Sequence, residues 1–200
     1  QLVTGHDSAK GVAENQPAKL AAYEGLYETG GPADLYIAGW VDERNEKTYG
    51  LAIPGGLSWI LYGNAEAPVT GLSAFSPEDR PPVNLVFQSY HLMVAIGMLL
   101  IVIAVLSAVF WWRGKLFQTR WLLWVLVFSV LGPQLANQLG WLSAEVGRQP
   151  WIVYDLLRTS DALSAAVSSG EVLTSLTLFG LIYLLLFILF VYLLNEKIQH

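Results

Sequence analysis

Three stretches of this chain carry no charged side chain, and each is long enough to cross a lipid bilayer. Leu92–Trp112 has 21 residues, Trp121–Ala144 has 24 and Val172–Leu194 has 23. A hydrocarbon core of ~30 Å takes ~20 residues of α-helix. Inside lipid only a helix or a closed barrel satisfies its own backbone, and runs of this length call for helices. The composition agrees: 54% of the 200 residues are hydrophobic and only 14% are charged, against ~25% charged in a soluble domain. The expected fold class is an all-α membrane protein. Three transmembrane helices follow an irregular extracytoplasmic loop domain, the whole forming part of a larger helical bundle.

Charge placement orients the helices. Arg113, Lys115 and Arg120 lie between the first two spans with no acid among them, which marks that side as cytoplasmic. Residues 145–171 carry four acids against Arg148 and Arg158. Trp111, Trp112, Trp121 and Trp124 form an inner aromatic belt, and Tyr90, Trp141, Trp151 and Tyr154 an outer one. The resulting division is an extracytoplasmic loop at 1–82, a transmembrane helix at 83–113 and a cytoplasmic loop at 114–120. A second helix at 121–146, an outer loop at 147–171, a third helix at 172–195 and a tail at 196–200 complete it.

Residues 1–80 hold 11 acidic and 5 basic side chains, net −6, so the acidity belongs to the polar segment and nucleic acid is no partner for it. Within that segment Pro17 and the alanines after it signal a helix around 16–28 that Gly30-Gly31-Pro32 stops. Leu35–Trp40 and Tyr49–Ile53 read as short strands around the turn-like Asp42–Lys47. Gly50, Pro54, Gly55, Gly56 and Gly63 suggest irregular chain rather than a compact core. The chain starts at Gln1 with no signal peptide before the polar segment, and reads as one piece of a larger subunit.

There is no cysteine, so disulfides and thiolate metal sites are excluded. His6, His91, His200, Met93 and Met98 are the imidazole and thioether side chains available. Met93 enters the first span two residues after His91. A thioether at that depth either fills a gap in the helix packing or ligates haem iron. Glu145 and Arg148 end the second span at helical spacing, with Pro150 closing the helix. Ionisable groups at membrane depth are functional candidates, and an ion pair that anchors the helix end is the competing reading. Gln134, Asn137 and Gln138 add polar groups to the second span, and Pro133 frees a backbone carbonyl there. Lys19 and Glu24 lie five apart on the loop helix, with Tyr23, Leu26 and Tyr27 beside them. They are either a solvated face or the lining of a pocket for a molecule that releases protons on oxidation.

Three separated stretches together resemble one family. Lys19-Leu20-Ala21-Ala22-Tyr23-Glu24, followed by Glu28-Thr29, is similar to the quinol-binding loop motif of subunit I of cytochrome bd quinol oxidases. Met93 resembles that family's low-spin haem b ligand. Gly140-Trp141 through Glu145-Val146-Gly147-Arg148-Gln149-Pro150-Trp151 is similar to its haem-domain signature. The resemblance covers the chain as the C-terminal part of that subunit, of the short-loop type. It implies a bacterial plasma (inner) membrane location, with quinol oxidised at the outer face near Lys19 and Glu24. Electrons would pass to low-spin haem b at Met93, then to a di-haem site at Glu145 where oxygen is reduced to water. Trp141 would lie beside the haems and Arg148 would contact propionates. Whether Glu145 serves the high-spin haem b or haem d stays open.

The resemblance departs at His91, where the family pattern has arginine. A neutral imidazole there would soften the charge on a haem propionate. The family's histidine ligands and its further helices are not among these residues. The implied partners are therefore the N-terminal part of subunit I, subunit II and a small single-helix subunit, besides quinol, oxygen and lipid. A non-catalytic or split membrane subunit that scaffolds assembly or binds quinone is the alternative.

Overall fold

A computed structural model describes residues 2–164 and 166–199, apart from the side chains of residues 2–4 and 6. His200 and the side chain of His6 thus lie outside the described residues. The chain divides into two units, Gln1–Asp161 and Ala162–His200.

The first unit opens with α1 (Leu2–Asn15) and α2 (Pro17–Glu24). Pro17 suits the first turn of α2 because no helical partner exists there for the N–H it lacks. Gly25 ends α2 with a left-handed φ of 62° and returns its N–H to the carbonyls of Ala21 and Ala22. A hairpin follows, β1 (Leu35–Asp42) against β2 (Lys47–Ile53), pairing Leu35 with Ile53 through to Asp42 with Lys47. The Asp42 carboxylate accepts from the N–H groups of Arg44 and Asn45, which shapes the turn. Next comes α3 (Gly56–Tyr62), where the sequence suggests irregular chain: its flanking glycines, Gly55 and Gly63, cap it from left-handed backbone.

Two long helical rods carry the rest. α4 (Val83–Trp112) is continuous. The second rod is α5 (Arg120–Ser129) followed by α6 (Leu131–Gly147), interrupted at Val130. Pro133 has no N–H to give the carbonyl four residues back, that of Ser129, and the ladder fails there. After α6 come the short strands β3 (Trp151–Val153) and β4 (Leu157–Arg158). The second unit contains α7 (Ser169–Gln199), with no buried residue among those described. Pro77–Trp112, Arg120–Gly147 and Ser169–Gln199 are long and apolar enough to cross a membrane. Almost none of their side chains is fully buried within this chain, so further helices or lipid must cover them.

The polar segment has a core despite its glycines and prolines. Ala21, Ala22, Tyr27, Val41 and Leu72 pack with Val83, Val86 and Phe87 from the start of α4. A second cluster joins Leu20, Ala33, Leu57, Leu61 and Val69. Phe87 is fully buried, a contribution on the order of 2–3 kcal/mol for one side chain. Hydrogen bonds strap β1 along α4: Asn84 Oδ1 accepts from the Val41 N–H, Gln88 donates to the Gly39 carbonyl and His91 Nε2 meets the Tyr36 carbonyl. The Glu43 carboxylate accepts from the Asn84 N–H at 2.6 Å, placing negative charge at the positive end of α4.

Candidate functional site

Lys19, Tyr23, Tyr90, Glu145 and Arg148 gather where α2 packs on the start of α4 and the end of α6. Glycine makes this approach feasible. A Cβ at Gly147 would stand 3.2 Å from Tyr23 Cε1, 3.3 Å from Lys19 Cγ and 3.4 Å from Val86 Cγ1. At the other end of α2, a Cβ at Gly25 would meet Thr48, Val41 and Phe87 at 2.6, 3.0 and 3.2 Å. The loop helix is thus seated between two glycines, one in the signature after the second span and one at its own end.

On one face of α2, Lys19 is brought beside Glu145 and Arg148. Partial burial and the Arg148 charge lower the Lys19 pKa, while Glu145 opposes them. Arg148 Nη2 donates to Glu145 Oε2 at 2.5 Å across one helical turn, both side chains half-exposed. The Nε of Arg148 is buried without a partner. Tyr23 shares the Lys19 face and stacks on Tyr90 of α4, ring centroids 4.6 Å apart and planes 1° from parallel. Burial pushes the Tyr23 hydroxyl up to about 12, with Ser143 beside it partly offsetting the shift.

Glu24 lies on a different face and is 3% exposed. Its Oε2 has no hydrogen-bond partner, and burial raises its pKa from 4.5 to about 8. A carboxyl of that kind is neutral at pH 7 and costly to ionise, which suits a group that takes up and passes on a proton. The carboxyl stands in the neighbourhood of Tyr90. A cavity of about 340 Å³ opens beside the end of α2, lined by Gly25 to Thr29, Tyr36 and Lys47 among others, but neither Lys19 nor Glu24 lines it.

Met93 lies one turn after Tyr90, half-buried, with its sulfur against α6: a Cβ at Gly140 would stand 2.8 Å from Sδ. Gly132 likewise faces Leu100 at 2.9 Å. Val86, Met93 and Leu100, seven apart on α4, therefore face Gly147, Gly140 and Gly132 on α6. Trp141 is 64% exposed, and Gln134, Asn137 and Gln138 are exposed along the same rod. His91 is engaged elsewhere: its Nδ1 and Nε2 each lie 2.9 Å from a carbonyl, of Phe87 and Tyr36, and its ring stacks on Phe87 at 3.9 Å.

The family model for cytochrome bd terminal oxidase subunit I matches residues 1–200. The chain belongs to that family. It is 34% identical over 208 residues to the cytochrome bd ubiquinol oxidase subunit 1 of Bacillus subtilis strain 168, covering 98% of this chain and 44% of the relative. The putative cytochrome bd menaquinol oxidase subunit I of the same organism is 38% identical over 172 residues, covering 84% and 38%. The solved bd oxidase of Geobacillus thermodenitrificans superposes with a TM-score of 0.72 at 36% identity, over 94% of this chain and 43% of that one. The chain thus spans less than half the length of these bd oxidase relatives.

The donor set fits haem as the family cofactor. The Met93 thioether stands near the start of α4 and the Glu145 carboxylate near the end of α6, and the buried Nε–H of Arg148 has no acceptor. Tyr90, which the sequence marks only as a member of an aromatic belt, joins this cluster through its stack on Tyr23. Its spacing, one turn before Met93, was the available signal.

Proposed function

We propose that this chain is the C-terminal part of a terminal quinol oxidase subunit, oxidising quinol at the outer membrane face within a complex that reduces oxygen to water. The supporting observation is Glu24: a buried carboxyl without a partner, on a two-turn helix whose other face presents Lys19 to Glu145 and Arg148. Quinol oxidation releases protons along with electrons, so its site needs an acceptor that is shielded from water and basic enough to accept them. Deprotonated Glu24 would take the proton from the quinol hydroxyl, its raised pKa making it a stronger base than an ordinary carboxylate. Lys19 would orient the quinol oxygen by donating a hydrogen bond.

Met93 would hold the low-spin haem b iron and Glu145 the iron of a high-spin haem, b or d. Bound haems would supply one-electron transfer and oxygen reduction. Arg148 would turn its free Nε–H and guanidinium edge toward a propionate. Trp141 would cover a haem face, and His91 would fix the outer turn of α4 that leads to Met93. The remaining histidine ligands would come from the N-terminal part of the subunit. Subunit II and a small single-helix subunit would complete the complex in the bacterial plasma membrane, with residues 1–82 outside.

The test is a reduced-minus-oxidised absorption spectrum of the purified complex containing this chain, with haem extraction alongside. Haem b bands with a red-shifted chlorin band are expected. Haem b alone would assign a b-type haem to the oxygen site. A complex without haem would overturn the reading and leave a non-catalytic scaffold subunit.

A further inference from the structure

We infer that Tyr23 is a positioning residue for quinol oxidation: its flat stack on Tyr90 fixes the rotation of α2 and thereby the aim of both Lys19 and Glu24. The inference rests on the quinol-oxidising reading above. α2 has eight residues and no side-chain cap at Gln16, too short a helix to hold its own conformation in water. Gly25 fixes where it ends, but an end point does not stop a helix rolling about its axis. The stack does. Tyr23 lies parallel to Tyr90 within 1° at 4.6 Å, in the contact range that aromatic pairs prefer. Lys19 Nζ lies 5.8 Å from the Tyr23 ring centroid, and the ring edge rests on Gly147, where a Cβ would be only 3.2 Å away.

Lys19 and Tyr23 are four residues apart and share a face, while Glu24 lies ~140° around from Lys19. One orientation of the Tyr23 ring therefore sets both. A roll of one residue, ~100°, would carry Lys19 away from Glu145 and Arg148 and expose Glu24. Tyr90 is three residues before Met93, so the same contact ties the quinol side to the helix that bears the proposed haem ligand. The working part is the ring rather than the hydroxyl, since the stack and the Gly147 contact are made by ring atoms.

The test is quinol-dependent oxygen uptake by the assembled complex, using a short-chain quinol, with haem content read from the difference spectrum. Tyr23→Leu and Tyr90→Leu should each raise the quinol KM roughly three- to tenfold, the scale of one aromatic pair, with the haem spectrum unchanged. The double variant should be no worse than either single one. Tyr23→Phe should restore KM to within about twofold of the parent, because it keeps the stack. An unchanged KM in Tyr23→Leu would overturn the inference. So would failure of Tyr23→Phe to restore function, or loss of haem from Tyr23→Leu, which would make Tyr23 a residue of general folding. If the parent complex oxidises no quinol, the proposed function falls and the stack is judged on hydrogen exchange of amides 18–24. Faster exchange in Tyr23→Leu than in the parent supports the lock, and equal exchange rejects it.

Discussion

Two glutamates stand at the same joint between loop and membrane in opposite surroundings. Glu145, at the end of α6, is half-exposed and paired with Arg148 one turn away. Glu24, on α2, is buried, with an oxygen that meets no donor. The α6 carboxylate faces a guanidinium one turn away, which would suit the proposed iron ligand. The lone carboxyl on α2 suits a residue that gains and loses a proton. Two identical side chains thus differ in what packs around them, the difference on which their proposed roles rest.

The strongest test lies on α4, at the proposed haem ligand. Met93→Ala should abolish the low-spin haem b signal in the difference spectrum while quinol still binds, and an unaltered signal would remove Met93 as a ligand. On the α2 side, Glu24→Gln should slow quinol oxidation by roughly 100-fold or more with the haem complement retained. Retained activity would show that the buried carboxyl accepts no proton.

Glu24 also brings a pH dependence. Folded Glu24 titrates near 8 against an ordinary 4.5. Below about 8 it holds a proton and cannot accept another, so the rate should rise about tenfold per pH unit up to that point and level off above it. Stability runs the other way. Between 4.5 and about 8 the folded chain retains a proton that the unfolded chain releases, so the seated loop loses stability as pH rises through that window. Glu24→Gln should flatten both profiles, read by oxygen uptake and by hydrogen exchange of the loop. The smallest effect belongs to Gly147→Ala, whose new methyl would press on Tyr23 and Lys19. A cost of about 1 kcal/mol, or a KM roughly fivefold higher, is expected.

Much of this arrangement can be read from the sequence, and the exceptions have physical causes. The spans announce themselves through unbroken apolar runs, and Pro133 announces the interruption that the structure has at Val130. The hairpin is legible because Asp42–Lys47 is rich in turn formers, although both strands extend further toward that turn than their apolar residues suggest. α1 and α3 are not legible: Gly5 and Gly11 sit inside the first, and the glycines flanking the second resemble loop chain while acting as its caps. The motif places Lys19 and Glu24 on one short helix, but nothing local distinguishes a solvated glutamate from one that is 3% exposed. That difference comes from α4, some 60 residues away in the chain. The Tyr23–Tyr90 stack is hidden for the same reason.

The row of glycines on α6 has a mechanical consequence. Val86, Met93 and Leu100 sit in a line of notches at Gly147, Gly140 and Gly132, so the two rods are keyed like a shaft in a slotted sleeve. Sliding one along the other would lift all three side chains out together, and the next glycine lies about 10–12 Å along the axis, seven or eight residues at 1.5 Å each. Small strokes are therefore denied to this pair.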